Sequence, residues 1–214
     1  MRVMLVDDHA VVRTGFKLLL QAGTDIEVIA EADSGEEACR LYDAIAPDVV
    51  VMDIAMAGMG GIEAIKRLLA RDPQARVLAL SAHEDTSHPK RALQAGALGY
   101  LSKRSAPEVL IEALRATARG EHYLDAQIAQ RMAVQGLSGA DSPVEKLSAR
   151  EFEVFVQLAR GQSVAQISET LKLSPSTVGT HLYNIKQKLG LNNQAEITLL
   201  AARHGLIDIG TINP

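Results

Sequence analysis

Apolar residues in the first 120 positions come in short runs that alternate with stretches of helical period. Short apolar runs bounded by polar residues are typical of strands buried inside a sheet. Five such runs predict strands at residues 4–6, 28–30, 49–52, 77–80 and 99–101. Because a helical stretch follows each run, we expect a parallel sheet with helices on both faces, which binds ligands at the carboxyl ends of its strands.

Serine followed three positions later by glutamate marks two helix starts in this part. Ser34 with Glu37, and Ser105 with Glu108, both fit the capping-box pattern ahead of apolar residues on one helical face. The fold class expected for residues 1–120 is therefore α/β, with a doubly wound five-stranded parallel sheet.

The rest of the chain has a different pattern, because strand signals stop after Gly120. A short helical stretch at 128–134 leads into small and polar residues at 136–143, which are typical of a linker. Four short helices are predicted beyond it, with starts marked by Ser148 and Glu151, Ser163 and Gln166, Ser174 and Pro175, and Asn193 and Glu196. We expect a first domain at 1–120, a linker with a short helix at 121–144, and a small all-α domain at 145–208.

Charge is divided unevenly between these parts. The net charge is −4; residues 1–124 hold 14 Lys and Arg against 18 Asp and Glu, whereas residues 147–214 hold six against five. Overall acidity argues against unselective coating of nucleic acid, but not against one helix that reads a DNA groove. The single cysteine, Cys39, excludes an intramolecular disulfide, and no apolar run reaches 18 residues. We expect a cytoplasmic protein with no membrane partner.

Carboxylates follow two of the predicted strands. Asp7 and Asp8 follow the first strand and Asp53 follows the third, so all three should meet at one edge of the sheet. Such a cluster is stabilised by a divalent cation, and all-oxygen donors favour Mg²⁺. Ser81 and Lys103 follow the fourth and fifth strands. A hydroxyl, an ammonium and a cation beside a carboxylate suit phosphoryl transfer, with Asp53 as the nucleophile that becomes an acyl phosphate.

Other reactive side chains of this part are weaker candidates. Cys39 shares a helical face with apolar residues, so we expect it in the core. His9, His83 and His88 do not have the spacing of metal ligands.

Residues 175–190 predict a helix with two different faces. Val178, Leu182, Ile185 and Leu189 recur at intervals of four, three and four residues and form a buried stripe. The opposite face carries short or hydrogen-bonding side chains and two lysines: Ser176, Thr177, Thr180, Tyr183, Asn184, Gln187, Lys186 and Lys188. No acid occurs from 174 to 195, so this face can approach a polyanion without repulsion. The pattern alone leaves open a helix-turn-helix that binds DNA, with 164–171 as the preceding helix, and a packing module with a solvated face.

Motifs at the predicted strand ends carry a family resemblance. They are Val6-Asp7-Asp8-His9, Met52-Asp53 with Gly61, Ser81-Ala82, and Gly99-Tyr100-Leu101-Ser102-Lys103. Residues 2–120 thereby resemble the flavodoxin-like receiver domain of two-component response regulators. The resemblance implies that Asp53 accepts phosphate from a sensor histidine kinase. It also implies that Asp8, Asp53 and the backbone carbonyl of Ala55 hold Mg²⁺ with Asp7 assisting through water, that Ser81 and Tyr100 form a switch pair, and that Lys103 contacts the phosphate.

A second resemblance covers residues 145–207. Its motifs include Leu147-Ser148-Ala149-Arg150-Glu151, Leu158-Ala159-Arg160-Gly161, Thr177-Val178 with Thr180-His181, and Lys188-Leu189-Gly190. This segment resembles the LuxR-type DNA-binding domain, and the whole chain resembles the NarL/FixJ class of response regulators, particularly its GacA/UvrY branch. The resemblance implies that helix 175–189 enters the major groove and that the last helix, 195–203, pairs two copies. DNA contacts are expected from Ser176, Thr177, Thr180, His181, Asn184, Lys186 and Lys188.

The chain departs from both families at a few positions. Receiver domains usually have proline where Ala57 stands, and often where Arg104 stands. Many LuxR-type domains carry lysine or arginine at the positions of Ser176 and Gly179. We therefore expect this chain to release fewer counterions per subunit on DNA than a typical relative.

The expected function is a phosphorylation-dependent transcription factor. Phosphorylated Asp53 would remodel the receiver surface and release the tail, which is the all-α domain at 145–208. It would also promote a homodimer in which helix 175–189 of each copy binds double-stranded promoter DNA. The chain would not be an enzyme for a separate substrate, since a receiver catalyses only its own phosphoryl transfer and dephosphorylation. Two alternatives remain. A phosphatase or phosphotransferase of the haloacid-dehalogenase type would need an acid where Ala55 stands, and the tail could instead bind only protein or RNA.

Overall fold

The computed structural model describes residues 1–22, 25–82, 87–137, 143–204 and 206–207. His83 and the linker residues 138–142 lie outside these ranges. The chain forms two compact units, Met1–Ala133 and Val134–Pro214.

The first unit alternates strands and helices throughout. Its elements are β1 (Arg2–Val6), α1 (Ala10–Gln21), β2 (Glu27–Ala32), α2 (Gly35–Ile45), β3 (Val49–Asp53), α3 (Gly61–Arg71), β4 (Val77–Ser81), α4 (Ser87–Gln94), β5 (Gly99–Ser102), α5 (Pro107–Ala118) and β6 (Tyr123–Leu124). Helix α6 (Ala126–Leu137) crosses the division between the two units. The strand order is β2-β1-β3-β4-β5-β6 and every pairing is parallel. This order confirms the doubly wound, flavodoxin-like class.

The expectation of five strands was wrong, because β6 adds a sixth at the edge of the sheet. The Tyr123 N–H donates to the Leu98 carbonyl at 3.0 Å, and Tyr123 lies opposite Gly99. Two residues are too few to show an alternating pattern, so the sequence contains no strand signal after Gly120 although a strand follows.

Both faces of the sheet are covered, as expected. On one face, alternate strand residues such as Val3, Val51 and Leu80 pack with Leu20 of α1 and Leu110 of α5. The intervening residues Met4, Val50 and Met52 are also fully buried on the other face, where α2 packs against α3. Cys39 lies in α2 and is buried, which confirms its place in the core.

One of the two predicted helix caps in this unit is present. The Ser34 side chain accepts a hydrogen bond from the Glu37 N–H at the start of α2. The prediction for Ser105 was wrong, because the N-cap of α5 is Ala106 and no side chain caps it. Pro107 occupies the first helical position, where its fixed φ angle suits a helix start, and this places the N-cap one residue beyond Ser105.

The described residues of the second unit form helices and the turns between them. A 3₁₀ turn (Pro143–Lys146) precedes α7 (Ala149–Ala159), α8 (Val164–Leu171), α9 (Pro175–Leu189) and α10 (Gln194–Arg203). All four predicted starts are confirmed: Ser148 and Ser163 form complete capping boxes, Ser174 caps α9 ahead of Pro175, and Asn193 caps α10. Phe152, Phe155, Ile167, Ile185 and Ile197 form the centre of its core. Among the described residues, no helix has both the length and the apolar character to span a bilayer.

Candidate functional site

Three carboxylates meet at the carboxyl edge of the sheet. Asp53 is the last residue of β3, and Asp7 and Asp8 follow β1, which pairs with β3. Asp53 and Asp7 are almost fully buried, at 2% and 4% exposure. Oxygen atoms of the three carboxylates, together with a ring nitrogen of His9, all lie within 4.8 Å of one another. The structure thus brings together the acids that the sequence placed at strand ends.

An ammonium group neutralises part of this cluster. Lys103 Nζ lies 2.6 Å from Asp7 Oδ2 and 2.7 Å from Asp53 Oδ2. The lysine follows β5, and its backbone N–H donates to the Ser81 carbonyl at 2.8 Å, which extends the pairing of β4 with β5 to this residue. Its side chain is directed into the cluster and is only 13% exposed.

At both Asp53 and Lys103, burial and the neighbouring opposite charges shift the pKa in opposite directions. Burial raises the pKa of Asp53 and the Asp7 carboxylate raises it further, while the Lys103 ammonium works in the opposite direction. Burial also works to lower the pKa of Lys103, but Asp53 and Asp7 outweigh it and the net shift is upward. Lys103 therefore remains an ammonium while it lies between two carboxylates.

The loop from β3 to α3 completes one side of the cluster. The Ala55 N–H donates to Asp53 Oδ1 at 3.1 Å, and the Ala57 N–H donates to Asp8 Oδ2 at 3.3 Å. Gly61 begins α3 directly against β3: a Cβ atom at this position would lie 2.0 Å from the Asp53 carbonyl oxygen. The chain can therefore turn back this closely to Asp53 only with a glycine at position 61.

Ser81 and Tyr100 lie on the neighbouring strands and are both fully buried. Ser81 is the last residue of β4 and is opposite Ser102, and Tyr100 is opposite Ala79. The tyrosine side chain is thus in an inward position in this structure.

Sequence reasoning gave His9 no role, yet its ring lies on the cluster. His9 Nδ1 is 2.8 Å from Asp8 Oδ1 and 3.4 Å from Asp7 Oδ1, and its backbone N–H donates to Asp7 Oδ1 at 2.8 Å. The side chain is 66% exposed and lies at the outer side of the buried acids. Its position directly after two acids at a strand end was the available signal.

In the second unit, α9 has the bounds and the two faces that the sequence predicted. Val178 and Ile185 are fully buried, and Leu182 and Leu189 pack against the same core. On the other side Ser176 and Thr180 are exposed, while Thr177, His181 and Asn184 are partly buried. The turn between α8 and α9 passes through Lys172, which has a left-handed backbone conformation with φ 51°. Two helices joined by so short a turn form a helix-turn-helix.

Comparisons with known proteins match both the α/β unit and the helical unit of this chain. Residues 3–115 match the response regulator receiver domain family, and residues 145–201 match the bacterial regulatory proteins of the luxR family. The response regulator GacA of Pseudomonas aeruginosa is 39% identical over 209 residues, covering 97% of this chain and 98% of GacA. UvrY of Escherichia coli K12 is 38% identical over 213 residues, covering 99% and 98%.

The chain belongs to the response regulator family. Its receiver domain is followed by a LuxR-type domain, so it is a DNA-binding regulator of the two-component type rather than a member of an enzyme family. Among solved structures, the response regulator ChrA of a heme-sensing two-component system is 38% identical, with a TM-score of 0.53 over 96% of this chain and 98% of ChrA.

The two departures in the receiver domain have a visible effect on hydrogen bonding. Ala57 and Arg104 stand at the two positions where the resemblance to receiver domains leads us to expect proline, which has no N–H. Here the Ala57 N–H donates to Asp8 Oδ2, and the Arg104 N–H donates to Ser102 Oγ at 3.2 Å. The loops on both sides of the acidic cluster are thus held by bonds that a proline could not make.

In the LuxR-type domain, both lysines of α9 have partners within the domain. Lys188 Nζ lies 2.5 Å from Glu151 Oε2, and Lys186 Nζ donates to the Asn192 carbonyl at 3.0 Å. The buried Nδ1 atom of His181 has no hydrogen-bond partner among the residues that the structure describes, and burial lowers the pKa of this ring. The Lys188 ammonium therefore reaches Glu151 of α7 although the lysine side chain is 42% exposed, and Ser176 and Thr180 are also exposed.

Proposed function

We propose that Asp53 accepts a phosphoryl group from the phosphohistidine of a sensor kinase. An Asp53 carboxylate oxygen would attack phosphorus, the P–N bond of the donor would break, and the imidazole would leave with that electron pair. The observation that carries the proposal is the buried Asp53 carboxylate with Lys103 Nζ at 2.7 Å. An ammonium held at this place can follow a phosphoryl oxygen as negative charge builds up on it.

We further propose that Asp7, Asp8, Asp53 and the backbone carbonyl of Ala55 hold Mg²⁺, with Asp7 acting through water. The donors suit this ion, because three carboxylates with oxygen atoms within 4.8 Å face a single lysine, and the site keeps a negative charge. Bound Mg²⁺ would neutralise charge on the transferring phosphoryl group. Ser81 and Lys103 would then bind the phosphoryl oxygens. The buried Tyr100 side chain would couple this shift of Ser81 to a change in the receiver surface.

In this proposal phosphorylation controls DNA binding in the cytoplasm. Phosphorylated receiver domains would promote a homodimer, in which α10 of each LuxR-type domain pairs with its counterpart. Helix α9 would then enter the major groove and contact DNA through Ser176, Thr177, Thr180, His181, Asn184 and Lys186. Lys188, which the sequence also predicts as a contact, is paired with Glu151. The acid-free face of α9 supports this arrangement, since a groove lined by phosphates repels carboxylates.

Intact-protein mass spectrometry tests the acceptor. With Mg²⁺ and a small acyl phosphate donor, the wild-type chain should gain the mass of one phosphoryl group, and Asp53→Asn should gain none. Asp43→Asn, which alters an exposed carboxylate of α2, is the matched control and should behave as wild type. Equal labelling of Asp53→Asn and wild type would refute the assignment.

A further inference from the structure

A buried carboxylate links the first and third helices of the LuxR-type domain. The Glu151 side chain, in the first turn of α7, is only 5% exposed. Its Oε2 atom accepts a hydrogen bond from the Ser148 N–H at 2.7 Å and lies 2.5 Å from Lys188 Nζ. Burial by itself would raise the pKa of Glu151, but Lys188 and Ser148 outweigh it and lower this pKa. The carboxylate is therefore charged, and both partners bind its Oε2 atom.

The ion pair joins positions that are 37 residues apart in the chain. Lys188 lies in the last turn of α9, and Glu151 is the third residue of α7, after the N-cap Ser148. The apolar stripe of α9 holds this helix against the core through contacts that have no preferred direction. A charge-assisted hydrogen bond is short and directional, so it fixes which residues of α9 face outward.

We propose that Glu151 is a positioning residue for DNA recognition, which holds the ammonium of the partly exposed Lys188 side chain against α7 and so fixes the orientation of α9. This inference rests on the proposed DNA-binding function. It changes the expected contact set, because Lys188 then acts through Glu151 and does not bind a phosphate. The base sequence of the DNA is then read mainly by uncharged polar side chains on the exposed side of α9, among them Ser176 and Thr180.

The competing assignment makes Lys188 a phosphate contact, and the two differ in sign for one substitution. If Lys188 binds phosphate, Glu151→Gln releases its ammonium for the DNA and binding becomes tighter. If Glu151 positions α9, the same substitution loosens the helix and binding becomes weaker. The salt dependence differs as well, since log K falls with log salt and each ammonium that neutralises a phosphate steepens this negative slope by about 0.9.

The experiment uses the full-length chain and a labelled DNA duplex that the wild-type chain has selected from a random pool. Dissociation constants are measured by fluorescence anisotropy at several salt concentrations for Glu151→Gln, Lys188→Met and the double variant. Lys146→Met is the matched control, because Lys146 is exposed in the 3₁₀ turn and has no place in the proposed interface. Circular dichroism measures the folded fraction of each variant. The double variant leaves no unpaired buried charge and keeps the test valid if Glu151→Gln unfolds.

We expect Glu151→Gln and Lys188→Met each to weaken binding about tenfold, equivalent to about 1.4 kcal/mol. The double variant should be no weaker than either single variant, and every salt slope should equal that of wild type. Tighter DNA binding by Glu151→Gln would overturn the positioning role. So would a slope of log K against log salt that is shallower by about 0.9 per subunit in Lys188→Met. A wild-type chain that selects no duplex at all would instead refute the proposed function, and the inference with it.

Discussion

Lys103 Nζ lies 2.7 Å from Asp53 Oδ2, and the same ammonium lies 2.6 Å from Asp7 Oδ2. One positive charge is thus shared by the proposed phosphate acceptor and by a second acid of the cluster. A phosphoryl group on Asp53 would bring new oxygen atoms within reach of this ammonium and would compete with Asp7 for it. The lysine is therefore the side chain most directly placed to respond to phosphorylation.

Replacing Lys103 by methionine should affect phosphorylation and cation binding in opposite directions. Loss of the ammonium removes charge stabilisation from the transferring phosphoryl group, and we expect the rate with a small acyl phosphate donor to fall about 100-fold. Loss of a positive charge next to the carboxylates should also make Mg²⁺ bind several-fold more tightly. Stopped-flow labelling and titration calorimetry measure the two effects.

Lys66→Met is the control for this pair of measurements, because Lys66 is exposed on α3 away from the cluster. It should match wild type in both. A Lys103→Met variant that binds Mg²⁺ more weakly than wild type would contradict the role given to the ammonium.

Gly61→Ala should destabilise the receiver domain by about 3 kcal/mol. Its Cβ would lie 2.0 Å from the Asp53 carbonyl oxygen and 2.6 Å from Ile54 Cα, so the backbone that carries the acceptor must move. Gly15→Ala is the matched control: Gly15 is within α1 and a Cβ there meets nothing within 4 Å, so this variant should gain about 0.5–1 kcal/mol. Urea unfolding of the receiver domain measures both, and equal stability of the two variants would refute the argument.

Much of the fold could be predicted because its signals are local in the chain. The strands follow short apolar runs, and Ser148 with Glu151 marks the start of α7 within four residues. Strand β6 has only two residues, so it shows no period of its own and depends on pairing with β5. Ser105 matched a capping pattern, but Pro107 decided where α5 begins.

In the functional sites too, only the contacts with a local signal in the sequence could be predicted. Strand ends predicted that Asp7, Asp53 and Lys103 would meet, because parallel strands share one edge. The contact of His9 with Asp8 depends on the local course of the turn after β1, which periodicity does not describe. The pairing of Lys188 with Glu151 depends on how α9 packs against α7 and cannot be read from either helix alone.

The LuxR-type domain should lose stability as pH falls below about 6.5, through His181. Burial lowers the pKa of this ring; Glu151 opposes the shift, and Arg150 and Lys188 add to it. A histidine whose pKa is lower in the folded state takes up its proton more readily in the unfolded chain. Its contribution to stability is therefore complete above the unfolded pKa of 6.5 and is lost as pH falls toward the folded pKa.

Urea unfolding of the full-length chain at pH 7.5 and pH 5.5 measures this loss, which should be absent or much smaller in His181→Asn. His204→Asn is the control, since this histidine follows α10 in the same unit. An unchanged pH dependence in His181→Asn would show that another group is responsible.

Gly179→Ala should stabilise the LuxR-type domain by about 1 kcal/mol, because Gly179 lies inside α9 and a Cβ there meets nothing within 4 Å. The midpoint of the urea transition assigned to this domain measures the gain. A loss of stability would mean that the glycine is required by the packing of α9.

We propose above that phosphorylation of Asp53 controls DNA binding by the helical domain. The most direct measurement is the dissociation constant for a selected duplex, with and without a small acyl phosphate donor and Mg²⁺, for wild type and Asp53→Asn. The donor should tighten binding by wild type and leave that of Asp53→Asn unchanged. Equally tightened DNA binding by wild type and Asp53→Asn would show that phosphorylation of Asp53 does not control it.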